Sequence, residues 1–439
     1  MSELPHSWAE ASIADVTMPF MSVDPTKTPD RAFRYVDIGS IDNKTQTITD
    51  PKSFFGSDAP SRARRLIRTG DTLFSTVRTY LKNIALVPEE LNGELTSTGI
   101  AVLRPSDAVD PGYLFRWACS DNFVGTLSGA QDGTMYPAVS DRDVATAAIP
   151  LPPLFEQRRI VAKIDSLAGK SRRARDHLDH IPRLVEKYKQ AVLATALNPH
   201  EMAGWQHAQL EGVVADALIG LVRGKSEQSA THGVPYIRMN HYDLDGRWNE
   251  DDLTLVGADA QEMARYELRE GDLLFNTRNS FELVGKVALW SKRPSGYLYN
   301  NNLLRLRFKP EVIPAFAFYQ MISPQFRTYL HSVKSATTSV CAIYQRSIMA
   351  APWAYPEIDQ QLAIAGWIEA AFAKIDRLAS EATSARKLID RLDQAVLAKA
   401  FRGELVPQDP DDEPASVLLE RIRAERGAVP KTKRGRPAG

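Results

Sequence analysis

Short runs that alternate apolar and polar residues, broken by glycine, proline and aspartate, fill residues 8 to 150 and return from 205 to 353. Alternation of this kind predicts strands with one buried face. Each region closes on a stretch headed by proline, PGYLFRWACSDNFVGTL from Pro111 and PAFAFYQMISPQFRTYL from Pro314. Proline's fixed φ and missing N–H suit a first helical turn, so both stretches predict helices and each region reads as a mixed α/β domain with a small twisted sheet. The period then changes. Beyond the proline-rich hinges IPLPPLFEQRRIVAKID (from Ile149) and PWAYPEIDQQLAIAGWIEAAFAKID (from Pro352), apolar residues step by threes and fours. Ile160, Ile164, Leu167, Ser171, Ala174, Leu178, Ile181, Val185, Tyr188 and Val192 form the first stripe. Ile368, Phe372, Ile375, Ala379, Ala382, Ala385, Ile389, Leu392 and Val396 form the second. Both are coiled-coil seams. Two helices with one stripe each bury them most simply against each other as an antiparallel pair, with a globular domain at either end. About 40 residues span about 60 Å at the helical rise, and Pro182 predicts a kink or a break after His180.

The two halves are copies. LIRTGDTLFSTVRT from Leu66 returns as LREGDLLFNTRNS from Leu268, which places Gly70-Asp71 on Gly271-Asp272 at an interval of 271 − 70 = 201. QAVLATAL from Gln190 returns as QAVLAKAF from Gln394, at 394 − 190 = 204. YVDIGSID at Tyr35 answers YIRMNHYD at Tyr236, and IALV at Ile84 answers VALW at Val287. In the hinges Pro153 aligns with Pro356, and Glu156-Gln157 with Asp359-Gln360. A duplicated unit tends to pack about a pseudo-two-fold axis, and duplex DNA is the ligand that matches such symmetry. The divisions that follow are a first domain over 1–153, a helical spacer over 154–200, a second domain over 201–356, a second spacer over 357–403, and a C-terminal tail over 404–439 packing near the start of the chain, its last dozen residues disordered.

Composition narrows the class. At 439 residues, 44% hydrophobic and 25% charged, the chain reads as a soluble protein too long for one core. MSELPHSWAE has no signal-peptide pattern and no apolar run is long enough for a membrane span, so a cytoplasmic protein without membrane contact is expected. Cys119 and Cys341 stand at unrelated points of the two copies and fit no zinc site or redox pair. The 54 basic residues cancel the 54 acidic ones, but the charges are segregated. Arg62, Arg64, Arg65, Arg68, Arg78 and Lys82 surround a lone Asp71, whereas acids crowd the stretch from Glu404 to Glu425. A basic patch within a neutral chain still holds phosphates.

Enzyme signatures fail. IGLVRGKS, from Ile219 to Ser226, is one residue short of a phosphate-binding loop and reads as a turn. Leu151-Pro152-Pro153-Leu154 lacks the Asp or Asn and the aromatic with which amino-methyltransferases grip a target amine. No glycine-rich loop follows a strand, and the histidines, His177 and His180 included, have no metal-ligand spacing. No catalytic residue, cofactor or metal is assigned. What remains are polar loops at matching places in both copies: Arg78, Thr79, Tyr80 and Lys82 in the first, Arg278, Asn279, Ser280 and Lys286 in the second. Arg62 and Arg64, the loop with Arg238, Asn240 and His241, and Thr134, Tyr136 and their counterpart Thr338 complete the candidate DNA-contacting set. Arginine and lysine suit guanine edges, asparagine suits adenine, and any of them holds phosphate. The frame repeats while the loops differ, so the expected target is split and asymmetric.

The hinge PLPPLFEQRRIVAKID, the second FAKID, the paired QAVLA helix ends and FRGELVPQDPDDEPASVLLERIRAER from Phe401 resemble the specificity subunit of type I restriction-modification systems over nearly the whole chain. The second hinge departs from the pattern, with PWAYPEIDQQ replacing PLPP and EQ. The resemblance implies two target recognition domains separated by two helical spacers, reading the two halves of a bipartite double-stranded DNA site without catalysing a reaction. It also implies two methyltransferase (M) subunits, which methylate adenine N6 with S-adenosylmethionine, and restriction (R) subunits that use ATP and Mg; those cofactors belong to the partners. A competing reading is a self-contained DNA methyltransferase or nuclease with divergent motifs, and a third is a coiled-coil scaffold with no DNA role. The tail's Arg434-Gly435-Arg436-Pro437 is similar to a minor-groove hook, but a disordered solubilising tail is the simpler reading.

Overall fold

The computed structural model describes residues 4–129, 138–198, 204–249, 251–336 and 340–428. They form two compact units, Met1–Leu178 with Ser384–Gly439, and Asp179–Thr383, each with one α/β domain and a share of both helical segments.

In the first domain two four-stranded sheets carry the fold. One runs in the order Lys52–Phe55, Ala32–Val36, Leu95–Ser97, Ala63–Leu66; the other runs Thr17–Met18, Ile100–Pro105, Thr72–Ser75, Ile84–Leu86. The second domain repeats the latter as Val214–Ile219, Leu303–Phe308, Asp272–Asn276, Val287–Trp290. It also repeats the parallel pairing within the former, since Tyr35 faces Leu95 as Tyr236 faces Leu298. The copies part at both edges, the second adding the strand Gln228–Ser229 beside Thr254–Val256. Where the first has the strand Ala63–Leu66 the second has the helix Ala260–Tyr266, opened by Asp259, which accepts from the N–H of Gln261 and Glu262.

The repeated Gly-Asp is a structural clamp. Gly70 and Gly271 sit at φ +83° and +88°, the left-handed region that glycine enters without strain. The aspartate after each caps its own turn, Asp71 accepting from the Arg68 N–H and Asp272 from the Arg269 N–H, both at 2.8 Å. Each carboxylate also takes a two-pronged arginine from the neighbouring strand: Arg104 reaches Asp71 at 3.0 and 2.7 Å, and Arg307 reaches Asp272 at 2.6 and 3.0 Å. The fork geometry fixes strand register as well as charge.

A second duplicated device joins each domain to its helix. The carboxamide of Gln157 accepts from the Asp110 N–H at 2.7 Å and donates to the carbonyls of Ala108 and Pro152 at 3.1 and 2.9 Å. Gln361 does the same with the Ile313 N–H and the carbonyls of Glu311 and Pro356, at 2.9, 2.8 and 2.8 Å. This corrects the hinge alignment drawn from sequence: Gln157 matches Gln361, not Gln360, and Pro152 matches Pro356. Buried hydrogen bonding, not the proline pair, defines the register. Each hinge strand pairs with the start of its own domain, Ala148–Leu151 with Ala9–Ser12 and Pro352–Tyr355 with Gln206–Gln209.

Helices Leu154–Asp179, Ile181–Ala196 and Ile358–Ala400 follow, with the expected break at His180 ahead of Pro182. In the first unit the pairing is antiparallel, because Ser171 donates to Asp393 while Arg175, further along, reaches back to Asp390. The stripes hold with one duplicated exception: Tyr188 and Leu392 face solvent, and their neighbours Lys189 and Asp393 turn inward. Ion pairs explain the shift. Lys189 lies 2.8 Å from Asp376 and 3.2 Å from Asp245, with its ammonium over the Phe372 ring, and Asp393 takes Arg175 at 2.6 Å. A step of four after Val185 and Ile389 puts the charged residue, not the apolar one, where its partner waits.

Each domain core draws on both helical segments. The first buries Ile160 and Ile164 with Ala400 and Phe401; the second buries Leu193 and Leu197 with Ala365 and Ile368. The chain's last part also returns to the first domain. Phe401 stacks edge-on to Trp117 and Tyr113, at 4.8 and 5.4 Å between ring centroids. Ala415 donates its N–H to Ser7 at 3.0 Å, and Asp412 takes Arg159 at 2.6 Å.

Two outcomes follow for stability. Asp71→Ala leaves the buried Arg104 guanidinium without its partner and is expected to destabilise the first domain by about 3–5 kcal/mol, less for Asp272→Ala because Arg307 is partly exposed; an unchanged urea midpoint for Asp71→Ala would contradict the clamp. Glu156 is buried at the hinge, with the Trp8 indole facing it outside hydrogen-bond geometry. Burial pushes its carboxyl above the usual range, against the opposing pull of Trp8 and Arg159. A raised folded pKa favours the protonated form, so this contribution is complete at acid pH and is lost as pH rises through the folded value. Glu156→Gln is expected to raise the melting temperature at neutral and alkaline pH and to flatten its pH dependence, as calorimetry across that range would read.

Candidate DNA interface

Each Gly-Asp strand launches one of the candidate loops. In the first domain the strand Thr72–Ser75 runs into a single 3-10 turn, Thr79–Leu81. Arg78 and Lys82, at φ +50° and +53°, bracket that turn in the left-handed region. Non-glycine residues hold that conformation only where their surroundings impose it. Here the buried Thr79 hydroxyl bonds Ser128 at 2.9 Å, and Lys82 bonds Asp121 and the Cys119 carbonyl at 2.5 and 3.2 Å. Thr79 and Lys82 therefore hold the turn against the helix Asp121–Gly129 and leave Arg78, Tyr80 and Leu81 at the surface. Arg78 and Leu81 line an open groove of about 600 Å³ whose opposite wall is Ile38, Gly39, Ile41, Asp42 and Asn43. The Asn43 amide bridges the groove to the Leu81 carbonyl at 2.9 Å. Arg62 is exposed, while Arg64 is half-buried beside Asp24 at 3.2 Å.

The second domain builds the same loop with other chemistry. After the strand Asp272–Asn276, residues Arg278–Asn279 pair with Cys341–Ala342. Asn279 donates to the Asn276 side chain at 3.0 Å and caps the Ser280 N–H at 2.9 Å. Its amide thus shapes the loop, and Arg278 and Ser280 stand exposed. Lys286 is buried: its ammonium donates to the carbonyls of Met239 and Tyr242 and lies over the Tyr242 ring. His241 is buried too, accepting from the Arg238 N–H at 3.1 Å, with Nε2 3.1 Å from the Asp252 carbonyl. Burial lowers the pKa of both groups. Lys286 therefore joins the 238–242 loop to the Gly-Asp strand's loop, His241 ties the 238–241 turn to Asp252, and both are buried. Arg238 is held by the Asp252 carbonyl and carboxylate at 3.0 and 3.1 Å, and Asn240 is exposed. Thr134, Tyr136 and Thr338 lie outside the described residues.

Phe281 is absent from the candidate set drawn from sequence. It is exposed and stands 281 − 80 = 201 residues beyond Tyr80, the interval of the Gly-Asp repeat. That interval was the available signal, obscured because Thr79-Tyr80 and Ser280-Phe281 sit among unlike neighbours. Among the described residues no cluster of His, Cys, Asp and Glu is placed to hold a metal, and no helix is long and apolar enough to cross a membrane.

No protein-family model matches the chain. Similar curated proteins are the EcoKI specificity subunit of Escherichia coli K12, 28% identical over 347 residues covering 74% of each chain, and the StySPI specificity subunit of Salmonella potsdam, 26% identical over 345 residues covering 74% of this chain and 73% of that one. Among solved structures, a chain from work on complex assembly and conformational transition of the type I R-M system superposes with a TM-score of 0.77 at 32% identity, over 92% of this chain and all of that one. The HsdS subunit of Thermoanaerobacter tengcongensis gives 0.64 at 31% identity, over 92% and 98%. Two copies of one α/β frame with unlike surface loops, tied to long paired helices and matched over 92% of the chain by the two solved structures, place the chain in the family of type I restriction-modification specificity subunits.

Proposed function

We propose that each α/β domain reads one half of a split, asymmetric double-stranded DNA target, and that the helical segments carry the subunits that act on it. One observation carries the reading: the buried devices of the two domains are the same while their exposed loop chemistry differs. Asp71 with Arg104 answers Asp272 with Arg307, yet the exposed Arg78 and buried Thr79 at one loop answer a half-buried Asn279 and an exposed Ser280 at the other. Selection for two different sequences by one scaffold leaves that signature. Direct contact falls to the exposed residues, Arg62, Arg78 and Tyr80 in the first domain and Asn240, Arg278 and Ser280 in the second. Thr79, Lys82, Arg238, His241, Asn279 and Lys286 hold those loops in place.

The helices offer two matching docking patches. Leu184 and Tyr188 are exposed one turn apart on Ile181–Ala196, and Leu388 and Leu392 are exposed 204 residues later on Ile358–Ala400. Matching patches 204 residues apart suit two copies of one partner, and the family relationship supports the methyltransferase subunit in that role, with restriction subunits joining the complex.

Arg278→Ala is expected to relax recognition by about 1–3 kcal/mol at one half of the target and leave the other unchanged. Methylome sequencing of a host expressing the chain with its methyltransferase subunit reads this directly, and loss at both halves would overturn the assignment of one domain per half. Tyr188→Glu and Leu392→Glu should each lower methyltransferase occupancy from two copies to one in native mass spectrometry; full occupancy in both variants would remove the docking patches.

A further inference from the structure

The aromatic at the tip of each loop is unexplained by hydrogen-bond readout of bases. Tyr80 is 57% exposed and Phe281 is 43% exposed, at equal positions after the Gly-Asp strand. Isolated exposed rings are ordinary on protein surfaces, but this pair recurs where the surrounding residues have diverged. Among the described residues it is the one pair of exposed aromatics that coincides under the repeat.

Both rings are held on fixed supports. The Tyr80 turn is bracketed by two left-handed residues and tied to the helix Asp121–Gly129 through Thr79 and Lys82. In the second domain the corresponding helix is Pro324–Ser332, and it supplies His331, whose ring meets Phe281 edge-on at 5.4 Å. Lys334, just beyond that helix, donates to the Phe281 carbonyl at 2.6 Å and lies 4.5 Å from the ring centroid. Ordering an apolar side chain toward water gains nothing in the free protein. It lowers the entropy lost when the ring is buried against a ligand.

The setting identifies that ligand. Each ring has a cation nearby: Arg78 is exposed two residues before Tyr80, and the Lys334 ammonium lies over the Phe281 ring. An exposed aromatic ring with a cation nearby, on a loop assigned above to DNA contact, matches insertion into the base stack: the lost stacking is replaced by ring–base contact and the duplex is locally opened.

We propose that Tyr80 and Phe281 are paired wedges, one per half-site, that press into the duplex and unstack one base step each, an inference that rests on the sequence-reader function above. Local opening of this kind favours a partner that must extract a base to modify it.

The test uses the full chain assembled with its methyltransferase subunits, and a duplex carrying the split motif found by methylome sequencing. A fluorescent adenine analogue quenched by stacking is placed in turn at each position of both halves except the adenine that is methylated, whose extraction raises emission by itself. The intact complex is expected to raise emission at one step in each half. Tyr80→Ala should abolish the rise in one half only and Phe281→Ala in the other, each with roughly tenfold to hundredfold weaker binding; Tyr80→Phe and Phe281→Tyr should keep both signals. Emission that survives loss of the rings while the split motif is still bound overturns the wedge and leaves the reader standing. Lower methyltransferase occupancy in the alanine variants with emission unchanged also overturns it, since the rings would then be covered by protein. An intact complex that binds no split motif overturns both readings.

Discussion

Everything in this fold depends on one buried carboxamide per domain. A helix that leaves a sheet through a proline hinge has backbone donors and acceptors at the junction that the hinge itself cannot pair. Gln157 and Gln361 satisfy three such groups each, two on the domain and one on the hinge, from the first turn of the helix. Glutamine suits the place because one side chain supplies both an acceptor and two donors. A carboxylate would offer no donor and would carry an uncompensated charge into the junction. Since the exit angle of each long helix is set there, so is the presentation of that domain relative to its own helix.

Polar groups inside the helical seam act on the same problem from the other side. A purely apolar stripe slides easily by a turn, whereas Lys189 with Asp376 and Asp393 with Ser171 and Arg175 are satisfied at one register. Buried ion pairs add little net stability, so their contribution lies in selecting the alignment. At the same position of the repeat one helix carries a cation and the other an anion. Each prefers its own partner and rejects the alternative by leaving a charge unpaired.

Rigid frame and variable loop are thereby separated. The clamp of Gly-Asp and arginine and the glutamine hinge are alike in both copies. The loops beyond the strands are held by a few buried polar contacts, Thr79 and Lys82 in one and Asn279 and Lys286 in the other, that leave their tips open to replacement. Replacing an exposed side chain at such a tip removes none of those holding contacts.

Periodicity, the duplication and the hinge were legible in the chain because they depend on local pattern: strand alternation, the heptad step, proline before helices and glycine at left-handed turns. Those determined two α/β domains, paired helices and membership of a recognisable family. What sequence could not decide was the destination of each polar side chain. Lys286 and His241 look like surface readers, yet tertiary packing buries Lys286 against carbonyls of a loop more than thirty residues away and His241 against the Asp252 carbonyl. Tyr188 and Leu392 look like seam residues, yet ion pairing turns their charged neighbours inward. A side chain's role follows from which distant groups surround it, and only the folded chain brings those groups together.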